Sequence, residues 1–255
     1  MRITVLGKSP SFPDAGGACS GYLVEGGGQT VLLDCGPGVF AKLRTVVDYA
    51  EIDAVVISHL HADHVMDLVP FASGIRYRPW EGEAPRPRLI APPGAPEAFA
   101  RLCEGGNMTA DHIELAFAMT VYDPADTLTL GDGLGVRFQP VPHYIPANAV
   151  EFACDGARFT FGADCGPSED LARFAAGTDL LMTEATLLEP EPPEDRGHLT
   201  PFEAGEHAQR AGAKRLVLTH FAAEAGADWV CSEAARAFGG PVEAAHEGAI
   251  YELAK

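Results

Sequence analysis

Basic residues are scarce in this chain: Lys and Arg number 18 against 36 Asp and Glu, for a formal charge of −18. So acidic a surface repels a long phosphate backbone over most of its area, which argues against a general nucleic-acid-binding protein. Small anions remain open to it, because bound cations reverse a local potential. Long apolar runs are also missing, and none approaches the roughly 20 residues of a membrane span. The opening stretch, MRITVLGKSP, is too short and too polar for a signal peptide and reads as a first strand, so a cytoplasmic protein is expected. The six cysteines are scattered with no C-x-x-C pair, which excludes a dense disulfide framework and leaves small buried thiols.

What is present is an ordinary globular composition, 47% hydrophobic and 21% charged over 255 residues. Short runs of Val, Ile, Leu and Phe alternate with Gly, Pro and Asp, which predicts many strands with helices between them. Helices are expected near Val39–Tyr49, His64–Phe71, Pro96–Cys103, Ser168–Ala176, Pro201–Ala211 and Ala227–Phe238. Ser168 and Thr200 suit N-caps, and Pro201 suits a first helical position. β-rich halves at both ends of the chain suggest two packed sheets with helices outside. The stretch from Arg76 to Pro96 carries six prolines and is irregular. Its start is a candidate lid, with a solvated connection as the alternative.

Histidine is sparse as well, with nine in all, yet His59, His61 and His64 fall within ISHLHADH. The preceding AVVIS is a buried-strand pattern and the following VMDLVPF looks helical, so the cluster sits where a strand ends. In an irregular loop, His59, His61, Asp63 and His64 can diverge to serve two centres a few ångströms apart, as in a two-metal site. Imidazoles and carboxylates without cysteine suit zinc, manganese or iron. Four ligands are too few for two metals. Three further residues each follow an apolar run: His143 after VRFQPVP, Asp164 after RFTFGA and His220 after KRLVLT. A polar group there is costly unless it has a partner.

The ordered set SHLHADH, VPHY, FGADCG and VLTHF, with ITVLGKSPS and VLLDCGPG near the start, resembles the metallo-β-lactamase-fold hydrolases. The resemblance covers most of the chain and implies a single α/β domain over residues 1–255, a four-layer αββα sandwich with metals at one edge of the sheets. It implies that His59, His61 and His143 hold one divalent metal and that Asp63, His64 and His220 hold the other, with Asp164 bridging. Zinc is the first choice of metal. Asp34 matches an early Asp that orients a metal-bound histidine. The His61 position is a glutamate in the flavodiiron redox branch, which argues against oxygen reduction. The bridging position is cysteine in many true β-lactamases, which argues against that activity.

MTEATLLEP and RGHLTPFEAGEHAQRAGAKRLVLTHF further resemble the ribonuclease Z and phosphodiesterase branch. There the resemblance gives His198 contact with the scissile phosphate and protonation of the leaving oxygen. Glu184 orients His198, lies at the metal edge, or is a plain strand-end carboxylate. Ribonuclease Z enzymes carry a long tRNA-binding arm between the third-histidine motif and the bridging aspartate. Here only one hairpin separates His143 from Asp164, and GPGVF replaces the usual Gly-Glu-Gly-Thr. These departures point to a small phosphodiester, such as a cyclic nucleotide or a short phosphodiester, attacked by hydroxide generated between two metals, with Asp63 and Asp164 holding it and His198 as acid. The alternatives are a ribonuclease Z-like RNA endonuclease and a thioester or lactone hydrolase. No membrane partner is expected, and the resemblance allows a homodimer. Gly36 and Gly38 are read either as a close approach to a phosphate or as a plain glycine turn. His207 is expected at the surface, and His112 and His246 carry no assigned role.

Overall fold

The computed structural model describes residues 1–192 and 196–254. Its strands in chain order are β1 (Arg2–Gly7), β2 (Gly21–Gly26), β3 (Gln29–Leu33), β4 (Ala54–Val56), β5 (Arg88–Ala91), β6 (Ala118–Val121) and β7 (Thr127–Leu130). They continue with β8 (Leu134–Val141), β9 (Ala147–Cys154), β10 (Ala157–Phe161), β11 (Leu180–Glu184), β12 (Leu216–Thr219), β13 (Val242–Ala244) and β14 (Ile250–Glu252). The helices are α1 (Val39–Val46), α2 (Ala62–Val65), α3 (Leu68–Tyr77), α4 (Ala95–Gly105), α5 (Glu169–Phe174), α6 (Pro201–Ala211) and α7 (Ala227–Ala235).

Two seven-stranded sheets result, ordered β14-β1-β2-β3-β4-β5-β6 and β13-β12-β11-β10-β9-β8-β7. In each, an antiparallel half passes into a parallel half, at β3 in the first sheet and β10 in the second. Alternate side chains of a strand point to opposite faces, so each sheet buries one face on its twin and the other on helices. Val24, Val31, Phe152 and Phe159 fill the space between the sheets. Phe40, Leu68 and Phe99 pack helices α1, α3 and α4 on the first sheet, and Leu171, Ala204 and Val230 pack α5, α6 and α7 on the second. The layers are helix, sheet, sheet, helix, as expected.

Local chemistry explains the helix starts. Thr200 accepts from the Glu203 N–H while the Glu203 carboxylate accepts from the Thr200 N–H, a reciprocal cap with Pro201 in the first turn. Ser168 Oγ likewise accepts from the Leu171 N–H at 3.1 Å. The single helix expected over His64–Phe71 is instead two, because the Asp67 N–H donates to Cys35 O and the Asp67 carboxylate accepts from the Phe40 N–H. Those long-range bonds break the chain at Met66–Asp67. Strand β6 is an edge strand whose residues are partly or fully exposed, so it lacks the apolar run that marks the buried strands.

His207 corrects its surface expectation. It is buried, donating from Nδ1 to Glu203 O and accepting at Nε2 from the Ser168 N–H, so it ties α6 to the start of α5. No helix among the described residues is long and apolar enough to cross a membrane.

One buried charge anchors the second sheet. Glu151 on β9 is 2% exposed, and its carboxylate accepts from Arg137 Nη2 and Arg158 Nη2, each at 2.5 Å. Glu151→Ala leaves two cations without their shared anion and is expected to cost about 3 kcal/mol, read as a lowered urea midpoint. A loss under about 1 kcal/mol would mean that solvent already screens the trio.

Candidate metal centre

The cluster is built from strand ends. Asp34 follows β3, Ser58 and His59 follow β4, His143 follows β8, Asp164 follows β10, Glu184 ends β11 and His220 follows β12. In open α/β sheets the carboxyl ends of parallel strands are where ligands bind. An isolated bridge between His59 and Ala147 joins the two sheets at this edge. Asp34 (φ 56), Ala163 (φ 54) and His220 (φ 52) are left-handed without being glycine. Each such residue costs on the order of 1–3 kcal/mol and persists only where its surroundings fix it. Here the Asp34 N–H donates to Val56 O and the His220 N–H to Lys8 O.

Gly36 supports the histidine loop from behind. A Cβ there would lie 1.9 Å from Asp63 O, so only glycine lets the two backbones pass. The Cys35 N–H donates to His64 O at 2.7 Å in the same contact. Gly36 thus packs against the ligand loop, and the close approach it permits is to Asp63.

The outer nitrogens of the histidines determine what the inner ones present. A carboxylate can only accept, so His64 Nδ1 donates to Asp34 Oδ2 at 2.7 Å. Ser58 Oγ donates to the same Asp34 oxygen at 2.7 Å, which leaves it to accept from His59 Nδ1 at 3.0 Å. His143 Nδ1 donates to Gly197 O at 2.7 Å. His220 Nδ1 donates to Thr186 Oγ1 at 2.9 Å, and that hydroxyl donates to Glu184 Oε2 at 2.6 Å. All four therefore turn Nε2 inward.

Inside, the contacts are acceptor against acceptor. His61 Nδ1 lies 2.9 Å from His143 Nε2, and Asp164 lies 3.3 Å from both His64 Nε2 and His220 Nε2. Asp63 Oδ2 is 3.1 Å from His220 Nε2 and 3.6 Å from His64 Nε2. His59 Nε2, His64 Nε2 and Asp164 Oδ1 are buried with no hydrogen-bond partner. Converging lone pairs of this kind need protons or cations between them. Candidate ligand atoms fall into the sets His59, His61, His143, Asp164 and Asp63, His64, Asp164, His220, each within 4.8 Å of one another. A third set joins Glu184, His198 and His220. The donor chemistry suits a metal.

Electrostatics follow the same geometry. Burial opposes charge on Asp164, yet His220 and His64 hold its carboxyl well below the usual carboxylate range. Burial likewise opposes an imidazolium at His64, but Asp164 and Asp34 raise it well above the ordinary histidine value. Burial, with His64 beside it, drives His59 the other way.

His198 stands over this centre, its ring stacked 5.7 Å from that of His220. Its Nδ1 donates to Glu184 Oε1 at 2.8 Å. Glu184 is fully buried and also accepts from the backbone N–H groups of Cys165 and Leu199. Burial works against charge on His198, but the hydrogen bond and charge of Glu184 outweigh it and push its pKa up to about 9. A cavity of about 350 Å³ opens here, lined by Pro10, Ser11, His61, Ala62, Asp63, Tyr144, Asp164, Thr186, His198 and His220. None of these comes from the proline-rich stretch 76–96.

The structure therefore brings together all nine residues singled out for metal binding and catalysis, with Asp34 behind them. Ser58, the hydroxyl of Thr186 and the Tyr144 ring are additions. A lone hydroxyl has no periodic signature, although Ser58 directly precedes the first histidine of the motif. His112 lies outside, between Ser73 and Arg76, and His246 is exposed.

Comparison with known proteins agrees with this geometry. The family profile described as "Beta-lactamase superfamily domain" matches residues 29–221. The probable metallo-hydrolase YhfI of Bacillus subtilis is 30% identical over 99% of this chain and 100% of its own length. The crystal structure of YhfI superposes with a TM-score of 0.86 at 27% identity, covering 98% of each chain. A ribonuclease Z of Mycolicibacterium gilvum is 29% identical over 87% of this chain and 84% of its own. Human tRNase Z, short form, shares the fold at a TM-score of 0.76 and 23% identity, covering 100% of each chain. By profile, by full-length relative and by architecture alike, the chain belongs to the β-lactamase superfamily, among its metallo-hydrolases.

Proposed function

We propose that residues 1–255 form one hydrolase domain that cleaves a small phosphodiester, such as a cyclic nucleotide or a short phosphodiester. His59, His61 and His143 hold one divalent metal and Asp63, His64 and His220 the other, Asp164 serves both, and zinc is the first choice for this donor set. Two such ions supply water activated for attack near neutral pH and stabilise charge on the phosphoryl oxygens. Asp63, at the cavity wall, accepts a hydrogen bond from the attacking water and aims it. His198 donates its proton to the departing oxygen, and Glu184 holds the ring in the orientation and charge state that transfer needs.

The observation that carries this reading is the His198–Glu184 pair beside His220. A thiolate leaves without help near its own pKa of about 8.5, whereas a sugar alkoxide needs a proton at once. An acid held protonated by a buried carboxylate suits the second case. Two features argue against a long RNA substrate. The β9–β10 hairpin turns tightly at Asp155–Gly156, with Cys154 paired to Ala157, and no arm leaves it. The net charge of −18 opposes a polyanion.

The test is His198→Ala assayed on two diesters. Turnover of a diester with an alkyl leaving group is expected to fall about 10²–10⁴-fold, and that of bis(p-nitrophenyl) phosphate by less, since nitrophenolate needs little protonation. Elemental analysis should still find two metals per chain. Loss of metal with unchanged turnover per bound metal would overturn the acid assignment. Faster turnover of thioesters or lactones by the wild type would overturn the substrate class.

A further inference from the structure

Among the described residues, no lysine or arginine lines the cavity over the candidate metal centre. Two described cations nearby are committed elsewhere: Arg196 pairs with Glu203 at 2.6 Å, and Lys8 is 9% exposed. Its Nζ donates to Phe221 O at 2.9 Å, pairs with Asp14 and lies 4.2 Å from the Phe221 ring centroid. A second phosphate would therefore meet no lysine or arginine among the described lining residues, on a chain whose net charge is −18. The centre is charged for one phosphoryl group.

What the cavity offers beyond that centre is an aromatic surface. Tyr144 is 53% exposed and forms part of the wall. Its ring centroid is 5.0 Å from that of His143 and 5.4 Å from that of His198. Gly197 lies directly beneath: a Cβ there would come within 2.4 Å of Tyr144 Cζ. The phenol donates to Glu191 Oε1, and Glu191 Oε2 accepts from the Gly197 N–H at 3.0 Å. Two histidines, a glycine and a carboxylate thus fix the ring while leaving it much accessible surface. A rigid aromatic presents large contact area at little entropic cost on binding. It stands one residue from a ligand histidine, where an ester arm of a bound phosphodiester would pass.

We propose that Tyr144 is the specificity-determining residue of this site, a stacking platform that selects phosphodiesters with one anionic phosphorus and a flat aromatic ester arm, of which a nucleoside is one. The inference rests on the phosphodiesterase reading above. Base–aromatic stacking predicts that the platform changes KM by roughly 10- to 100-fold.

The experiment uses the metal-loaded full chain and three esters sharing one leaving group: methyl p-nitrophenyl phosphate, thymidine 5′-(p-nitrophenyl phosphate), and the latter with a 3′-phosphate. For the wild type, KM for the thymidine ester is expected at least about tenfold below that for the methyl ester. The added 3′-phosphate should erase most of that advantage. Tyr144→Leu should bring the thymidine and methyl KM values together, and the methyl ester measured on the same variant corrects for any general loss. Tyr144→Phe, which keeps the ring and drops the bond to Glu191, should keep the ratio. Equal KM values for the two esters in the wild type, or an unchanged ratio in Tyr144→Leu, would overturn the proposal. Absence of hydrolysis of all three esters with metal bound would instead strike the phosphodiesterase reading itself.

Discussion

Stripping bound metal with a chelator is expected to lower the melting temperature of this protein by about 10 °C. A metal that binds the folded cluster and scarcely the unfolded chain adds RT ln(1 + [L]/Kd), about 4 kcal/mol when it stands a thousandfold above Kd. For a chain of this length each kcal/mol moves the midpoint by roughly 2–4 °C. The structural reason is the set of inward-facing acceptors. Asp164 is 2% exposed and lies within 3.7 Å of His59, His64 and His220. Without cations, the orphaned His59 Nε2, His64 Nε2 and Asp164 Oδ1 must take up protons, admit water or part. Calorimetry of loaded and chelated protein, with elemental analysis of both, tests this. Readdition of zinc should restore the midpoint. Identical midpoints with two metals gained and lost would mean that the cluster is held open by the fold alone.

Much of that cluster is legible before any coordinates, for a physical reason. The H-x-H-x-D-H stretch is local, so its spacing alone declares four donors at one strand end. His143, Asp164 and His220 are separate, but each is a polar group ending an apolar run, a placement that demands a partner. Less visible is whatever depends on two distant segments meeting. The hydroxyls of Ser58 and Thr186 relay hydrogen bonds to Asp34 and Glu184; each sits beside a motif residue, yet the fold decides which partner it reaches. The break between α2 and α3 follows from Asp67 reaching back to Cys35 and Phe40. His207 reads as a surface residue of an amphipathic helix because the Ser168 N–H it caps is 39 positions away. The left-handed backbone at Asp34 and His220 is equally invisible, since neither is glycine.

Glu184→Gln is expected to lower kcat for an alkyl-leaving diester by about 10³-fold, although it changes one atom. Every partner of Glu184 arrives as a donor: Cys165 N–H and His198 Nδ1–H at Oε1, Thr186 hydroxyl and Leu199 N–H at Oε2. An amide must turn its own NH₂ toward one of those pairs. If it faces Oε1's partners, His198 loses its acceptor outright. If it faces Oε2's, the Leu199 N–H is orphaned and the Thr186 hydroxyl reverses, loosening the grip on His220. Leaving a buried donor unpaired costs about 1–3 kcal/mol, so the variant should fold with a modestly lower urea midpoint. In either orientation the anion that keeps His198 protonated is gone. The discriminating measurement is the double variant Glu184→Gln, His198→Ala. Groups that act as one unit are strongly non-additive, so the double variant should turn over no more slowly than the worse single one. Multiplied losses would mean that Glu184 acts apart from His198, through Thr186 and His220 instead, and Thr186→Val would then reproduce most of its effect.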